Sequence, residues 1–134
     1  MTLEEARAFF LSTDRFASEA LGAQIDAVGI GSSKVSLDIL PIHKRVGSAV
    51  MGGVYFTLAD FAFAVATNDE HTRVVSLSST INFHRQPRGQ RMSAFAQVEW
   101  RGKTILSCTV QVAEADGSLL ATMLVTGYVT QRGA

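Results

Sequence analysis

Hydrophobic and polar positions along this chain follow two periods, and the change from one to the other outlines the fold. Near the amino terminus Ala6, Phe9, Phe10, Phe16 and Ala20 recur at helical spacing, and Thr2 followed by Glu5 fits a capping box. A first helix is predicted from there to near Gly22. From Gln24 to Leu40 the stretch QIDAVGIGSSKVSLDIL alternates on both sides of a Gly-Ser-rich turn, as a hairpin with one buried face does, and Pro41 closes it. After the loop PIHKRVGSAVMGG comes VMGGVYFTLADFAFAVA, Val50 to Ala66, which lacks proline and is apolar around its circumference. Such a helix is expected to be enclosed on every side.

Period two returns in four further runs: TRVVSLSSTINF, then MSAFAQVEW after the loop HRQPRGQR, then KTILSCTVQVAEA and SLLATMLVTGYVT. Arg101-Gly102 and Asp116-Gly117 supply the turns that join the last three as hairpins. Thr104, Leu106, Cys108, Val110 and Val112 share one face of their run, as do Leu119, Ala121, Met123 and Val125 of the next. An early hairpin, one buried helix and then antiparallel strands predict an α+β fold in which a curved sheet wraps the helix, with an extra N-terminal helix. No repeat or linker divides the 134 residues, so residues 1–134 are expected to form one domain.

Composition narrows the function. Twelve basic residues balance twelve acidic ones, which argues against a nucleic-acid backbone or an anionic membrane as the main partner. The stretch around Asp60 is nearly long enough to span a bilayer, but an Asp at its middle costs roughly 2.5–3.5 kcal/mol on insertion scales, and the runs after it read as soluble β-structure. Cys108 is the one cysteine, and the chain begins with acids rather than a basic region before an apolar run. A cytoplasmic location is expected.

Asp60 is the one charged side chain of the apolar helix, between Phe56 and Phe61 and close to Phe63. A carboxylate there costs free energy unless it is paired or neutralised. It either faces a polar loop or a neighbouring subunit as a fold-specifying acceptor, or it works as a general base or nucleophile in an apolar cleft. Gly52 and Gly53 open the same helix. First-turn amides have no intrahelical acceptor, and the missing Cβ atoms let an oxygen approach, so the pair serves either as a tight helix start or as an oxyanion hole. Gly52 and Asp60 lie eight residues apart, about 12 Å along a helix. One helix therefore cannot bring both to one carbonyl, and a catalytic site needs amides from one subunit and the carboxylate from another, as antiparallel helices of a twofold dimer would provide.

HKRVGSAVMGGVYFTLAD resembles the corresponding segment of hotdog-fold thioesterases of the phenylacetate-pathway (PaaI) type, with His43, Gly52, Gly53, Leu58 and Asp60 in register. The similarity extends to TINFHRQPRG and EWRGKTI and covers most of the chain. It implies a hotdog fold and hydrolysis of acyl-CoA thioesters without a metal or other cofactor. It also implies Asp60 as base or nucleophile and the region of Gly52 and Gly53 as oxyanion hole. Ser76 falls where some relatives place a hydroxyl that orients the attacking water. A homodimer, or a homotetramer of two such dimers, with sites at the subunit interface is expected. The sequence departs from the pattern at Met51, where the family has His, and at Arg45, where it has Asn. Both replaced side chains help bind the thioester oxygen or position the nucleophile in the family, so a non-catalytic acyl-CoA-binding module is the alternative.

His43 is a candidate substrate-binding residue, and Met51 and Phe56 are candidates to line an acyl pocket. Arg45, Arg85 and Arg88 either form a solvated face or dock CoA phosphates, a task that arginine forks suit. His43, His71 and His84 have no i, i+4 partner and no cysteine pair, which argues against zinc or any other metal. Val65 replaces the His that related hydratases place five residues after the Asp, which disfavours dehydration chemistry.

Overall fold

A computed structural model describes residues 1–132. Helix α1, Leu3–Leu11, begins on the expected capping box: the Thr2 hydroxyl accepts from the Glu5 amide at 3.1 Å, and the Glu5 carboxylate accepts from the Thr2 amide at 3.0 Å. The helix does not run on to Gly22. Ser12 and Thr13 donate their hydroxyls to the carbonyls of Ala8 and Phe9, and the chain bends before a π-type turn, Phe16–Ala20. Hydroxyl donors that compete for helix carbonyls in this way favour bends over continuation. Gly22, at φ +79°, then reverses the chain toward the sheet.

Six strands make one antiparallel sheet: β1 Gln24–Gly29, β2 Ser32–Asp38, β3 Arg73–Phe83, β4 Arg91–Arg101, β5 Ile105–Ala113 and β6 Leu119–Gln131. Their spatial order is β1-β2-β4-β5-β6-β3, so β3 leaves the end of the second helix and becomes the outer strand beside β6. This second helix, α2 Gly52–Thr67, packs chiefly on β2 and β4. Leu58, Ala59 and Ala62 on the helix, with Val35, Leu37, Met92, Ala94, Val110 and Met123 from the sheet, are fully buried. That is the predicted α+β arrangement of a curved sheet around one helix, with the extra helix α1 laid against β1.

The prediction of a helix enclosed on every side fails along one stripe. Gly53 and Phe56 are exposed and Gly52, Thr57, Asp60 and Ala64 are half-buried, at spacings that put them on one side of α2. The inward face is packed to contact. A Cβ on Gly127 of β6 would lie 2.9 Å from Val74, 3.0 Å from Leu106 and 3.1 Å from Phe63, so the glycine is what lets the Phe63 ring reach the sheet. The two predicted strand faces hold for Leu106 through Val112 and for Ala121 through Val125. Thr104 and Leu119 lie outside them, exposed at strand ends next to turns.

Candidate active site

Asp60 sits in the third turn of α2, where the ring of Phe61 meets Phe10 edge-on at 6.5 Å between centroids. That contact brings the end of α1 and the bend after it over the helix. The result is a cleft of about 280 Å³ lined by Asp14, Arg15 and Phe16 of the bend and by Thr57, Asp60 and Phe61 of α2, among others. The Asp60 carboxyl makes no hydrogen bond or ion pair with any described residue. Burial first, and the negative charge of Asp14 second, push it above the usual carboxylate range. A half-buried, unpartnered carboxyl of raised proton affinity beside open space has the properties of a general base.

The start of α2 opens on a second cleft, of about 290 Å³, whose wall includes Gly52, Arg45, Tyr55, Phe83, His84, Arg85 and Gln86. Met51 is the N-cap, with no side-chain capping bond; its own amide donates to the His43 carbonyl at 3.0 Å, and its carbonyl accepts from Val54 at 2.9 Å. Between these bonds, the Gly52 and Gly53 amides donate to no described backbone acceptor. The entrance is held from the β3–β4 loop. Gln86 binds both polar groups of the Val50 backbone, at 2.7 and 3.1 Å, and Tyr55 donates its hydroxyl to the Arg85 carbonyl at 3.0 Å. Gly52 also has a packing role, because a Cβ there would lie 3.3 Å from the Phe83 ring.

The other candidate residues separate into distinct environments. His43 is buried, 3% exposed, and both ring nitrogens serve the backbone: Nδ1 accepts from the Leu40 amide at 3.0 Å, and Nε2 lies 2.8 Å from the Leu21 carbonyl. These partners fix the tautomer with its proton on Nε2 and leave no nitrogen for a ligand. Arg85 pairs with Glu114 at 2.8 Å, and the same carboxylate accepts from the Arg88 and Gly89 amides. The side chains of Arg45 and Arg88 make no such bond among the described residues. Met51, 56% exposed, and Phe56 lie on the open stripe. Ser76 is exposed on β3 and lines neither cleft of its own protomer; an extra residue, Leu77, lies between the pairs Ser76–Gly127 and Ser78–Thr126. Burial pushes the Cys108 thiol up to about 11, which removes it as a nucleophile. No cluster of potential metal-ligating side chains occurs among the described residues.

Sequence reasoning missed Asp14, Phe16 and Thr57. Thr57 could have been found from its i−3 spacing to Asp60. Asp14 and Phe16 could not, because they were assigned to an unbroken helix.

The architecture and the position of α2 match a known family: a model described as the thioesterase superfamily covers residues 47–121, more than half of the chain. The chain belongs to the thioesterase superfamily. The match contains both α2 clefts except for Arg45 and the bend around Asp14. Among relatives of this thioesterase, a Deinococcus radiodurans protein with a provisional esterase name is 31% identical over 117 residues, 86% of this chain and 78% of that one. The acyl-coenzyme A thioesterase PaaI of Escherichia coli K12 is 33% identical over 87 residues, 64% of this chain and 62% of that one. The solved structure of the E. coli PaaI protein, from the phenylacetic acid degradation operon, superposes with a TM-score of 0.87 at 23% identity, covering 99% of each chain. The hotdog fold and a thioester hydrolase chemistry follow for this chain. Among the described residues, no helix is long and apolar enough to cross a membrane.

Proposed function

We propose that this thioesterase hydrolyses acyl-CoA thioesters, with aryl or medium-chain acyl groups, to the free acid and CoA at two equivalent sites of a twofold dimer. One observation carries the reading: the carboxyl of Asp60 and the amides of Gly52 and Gly53 lack partners among the described residues and lie on the open stripe of α2, yet Asp60 and Gly52 open on separate clefts. A second α2 laid antiparallel along that stripe would bring the amides of one protomer to the carboxylate of the other. Dimerisation is also supported by β3, an 11-residue edge strand with Val75 50% and Leu77 59% exposed, an edge that a lone sheet leaves open to pairing.

In the assembled site the thioester oxygen receives the Gly52 and Gly53 amides at the positive end of α2, where they stabilise the charge that develops on attack. Asp60 either removes the proton from an attacking water, which Ser76 orients, or attacks the carbonyl itself. The thiolate leaves with little acid assistance. Met51 and Phe56 contact the acyl group. Arg45 and Arg88, with free guanidinium groups, meet the CoA phosphates, and Arg85 joins them if phosphate displaces Glu114. His43 contributes by holding the backbone before α2 rather than by touching substrate.

Thiol release from a panel of aryl- and alkyl-acyl-CoAs tests the assignment. Turnover is expected for at least one member, with Asp60→Ala reducing kcat by roughly 100- to 10,000-fold, the range for loss of a general base. Gly52→Ala is expected to lower kcat while Tm changes little, since the half-exposed Phe83 ring can give way. Single turnover in ¹⁸O-water separates base from nucleophile, because only a nucleophilic Asp60 acquires label from its covalent intermediate. Calorimetric binding without turnover would instead favour a binding module, the alternative to which the Met and Arg replacements at 51 and 45 point.

A further inference from the structure

The bend between α1 and the π-type turn places a second carboxylate in the cleft of Asp60, and nothing else in that cleft accounts for it. Asp14 is fixed by its backbone, its amide donating to the Phe10 carbonyl at 2.8 Å and its carbonyl accepting from Ser18 at 3.0 Å. Its side chain is half-buried in the wall of the cleft and, among the described residues, accepts a hydrogen bond only from the Thr13 hydroxyl, at 3.4 Å. That hydroxyl is already committed to the Phe9 carbonyl at 2.8 Å. Phe10, immediately upstream, anchors the bend on Phe61, the neighbour of Asp60, so the two acids are carried by elements locked together through a buried aromatic pair.

The charged groups of this cleft are Asp14, Arg15 and Asp60. Arg15 pairs with neither acid; its guanidinium is held by Glu19 in an exposed i, i+4 pair. The remaining wall is Thr13, Phe16, Ala17, Thr57, Phe61 and Ala64, none of which carries charge. Two like charges thus face one apolar space with no cation between them. A like charge nearby disfavours the charged form of each acid.

We propose that Asp14 is a positioning residue for the reaction: its fixed negative charge across the shared cleft controls the protonation of Asp60, and so sets the pH at which the thioesterase becomes active. The inference rests on the assignment of Asp60 as the reacting carboxyl. Burial acts on both acids and pushes both above the usual range, and the charge of Asp14 adds to the effect at Asp60. Removing the charge of Asp14 leaves Asp60 with burial alone, and its deprotonation moves to lower pH.

The test is a titration of the Asp60 side-chain carboxyl by ¹³C NMR in the full-length, ligand-free protein, wild type and Asp14→Asn, at low and high salt, beside the pH profile of kcat/KM. In Asp14→Asn the Asp60 midpoint and the acidic limb of kcat/KM should both move down. At a pH on the lower part of the wild-type limb, kcat/KM should rise about three-fold, as expected for one partly screened like charge. The high-pH plateau should stay unchanged, and the shift should shrink in high salt. Asp14→Ser serves as the second variant, and Asp14→Glu, which restores the charge, should return the midpoint toward wild type. An Asp60 midpoint that stays put or rises in Asp14→Asn and Asp14→Ser overturns the proposal. A midpoint that falls in a protein inactive on every thioester leaves the coupling standing and removes the hydrolase assignment instead.

Discussion

Replacing Asp60 by Asn should abolish most activity while making the protein more stable at neutral pH, and the two effects have one origin. The carboxyl lies half-buried beside Phe61, accepts no hydrogen bond from any described residue and shares its cleft with Asp14. Its folded-state pKa is raised above the unfolded value, so the folded chain binds the proton more tightly. The cost of the charged form is therefore absent below the usual carboxylate range, and it grows as the pH climbs through the raised pKa. Asn has nearly the same shape and no charge, so the variant should match wild type at the acid end and exceed it above. Relief of one such strained site is worth about 1 kcal/mol, or roughly 3–6 °C in Tm for a domain of this size. The assay is denaturant unfolding of both proteins at equal concentration across pH 4 to 8, because the proposed dimer would make apparent stability concentration-dependent. A variant less stable than wild type at pH 7, or a difference that does not change with pH, would refute the account of Asp60 as an unpaired, destabilised acid. It would favour a structural acceptor whose partner the mutation removes.

Two further substitutions probe the frame around the site. Gly127→Ala should destabilise by about 1–3 kcal/mol through overpacking, since its Cβ would enter the space of Phe63, Val74 and Leu106; a lowered urea midpoint with unchanged slope checks this, and a neutral effect would show that the helix–sheet contact is loose. His43→Ala should cost about 2–3 kcal/mol by stranding the Leu40 amide and the Leu21 carbonyl, with KM nearly unchanged. A rise in KM without loss of stability would instead give His43 a contact with substrate.

The sequence by itself determined the elements and their chemistry. Period-two runs, turn glycines and an all-apolar segment predict six strands and α2 because residues two apart share a strand face and a buried helix has no polar side. The cost of burying a lone acid singled out Asp60 before any coordinates. Helical rise alone separated it from Gly52, and the two clefts agree with that separation. Tertiary structure decided what local pattern cannot encode. Strand order is one such matter: β3 follows α2 in the chain yet pairs with β6 at the far edge, a result of which hydrophobic faces cover the helix rather than of any local signal. The open stripe of α2 is another, since apolar residues that lie open look the same in sequence as those that face a core. His43 changed from a candidate substrate-binding residue to a backbone brace because both its acceptor and its donor are distant in sequence or set by a turn. Asp14 came into the cleft because hydroxyl groups at residues 12 and 13 ended α1 early, and the aromatic contact between Phe10 and Phe61 then fixed where the bend would lie. Spacing along one chain measures distance within an element, whereas the field at a carboxylate depends on what other elements bring to it.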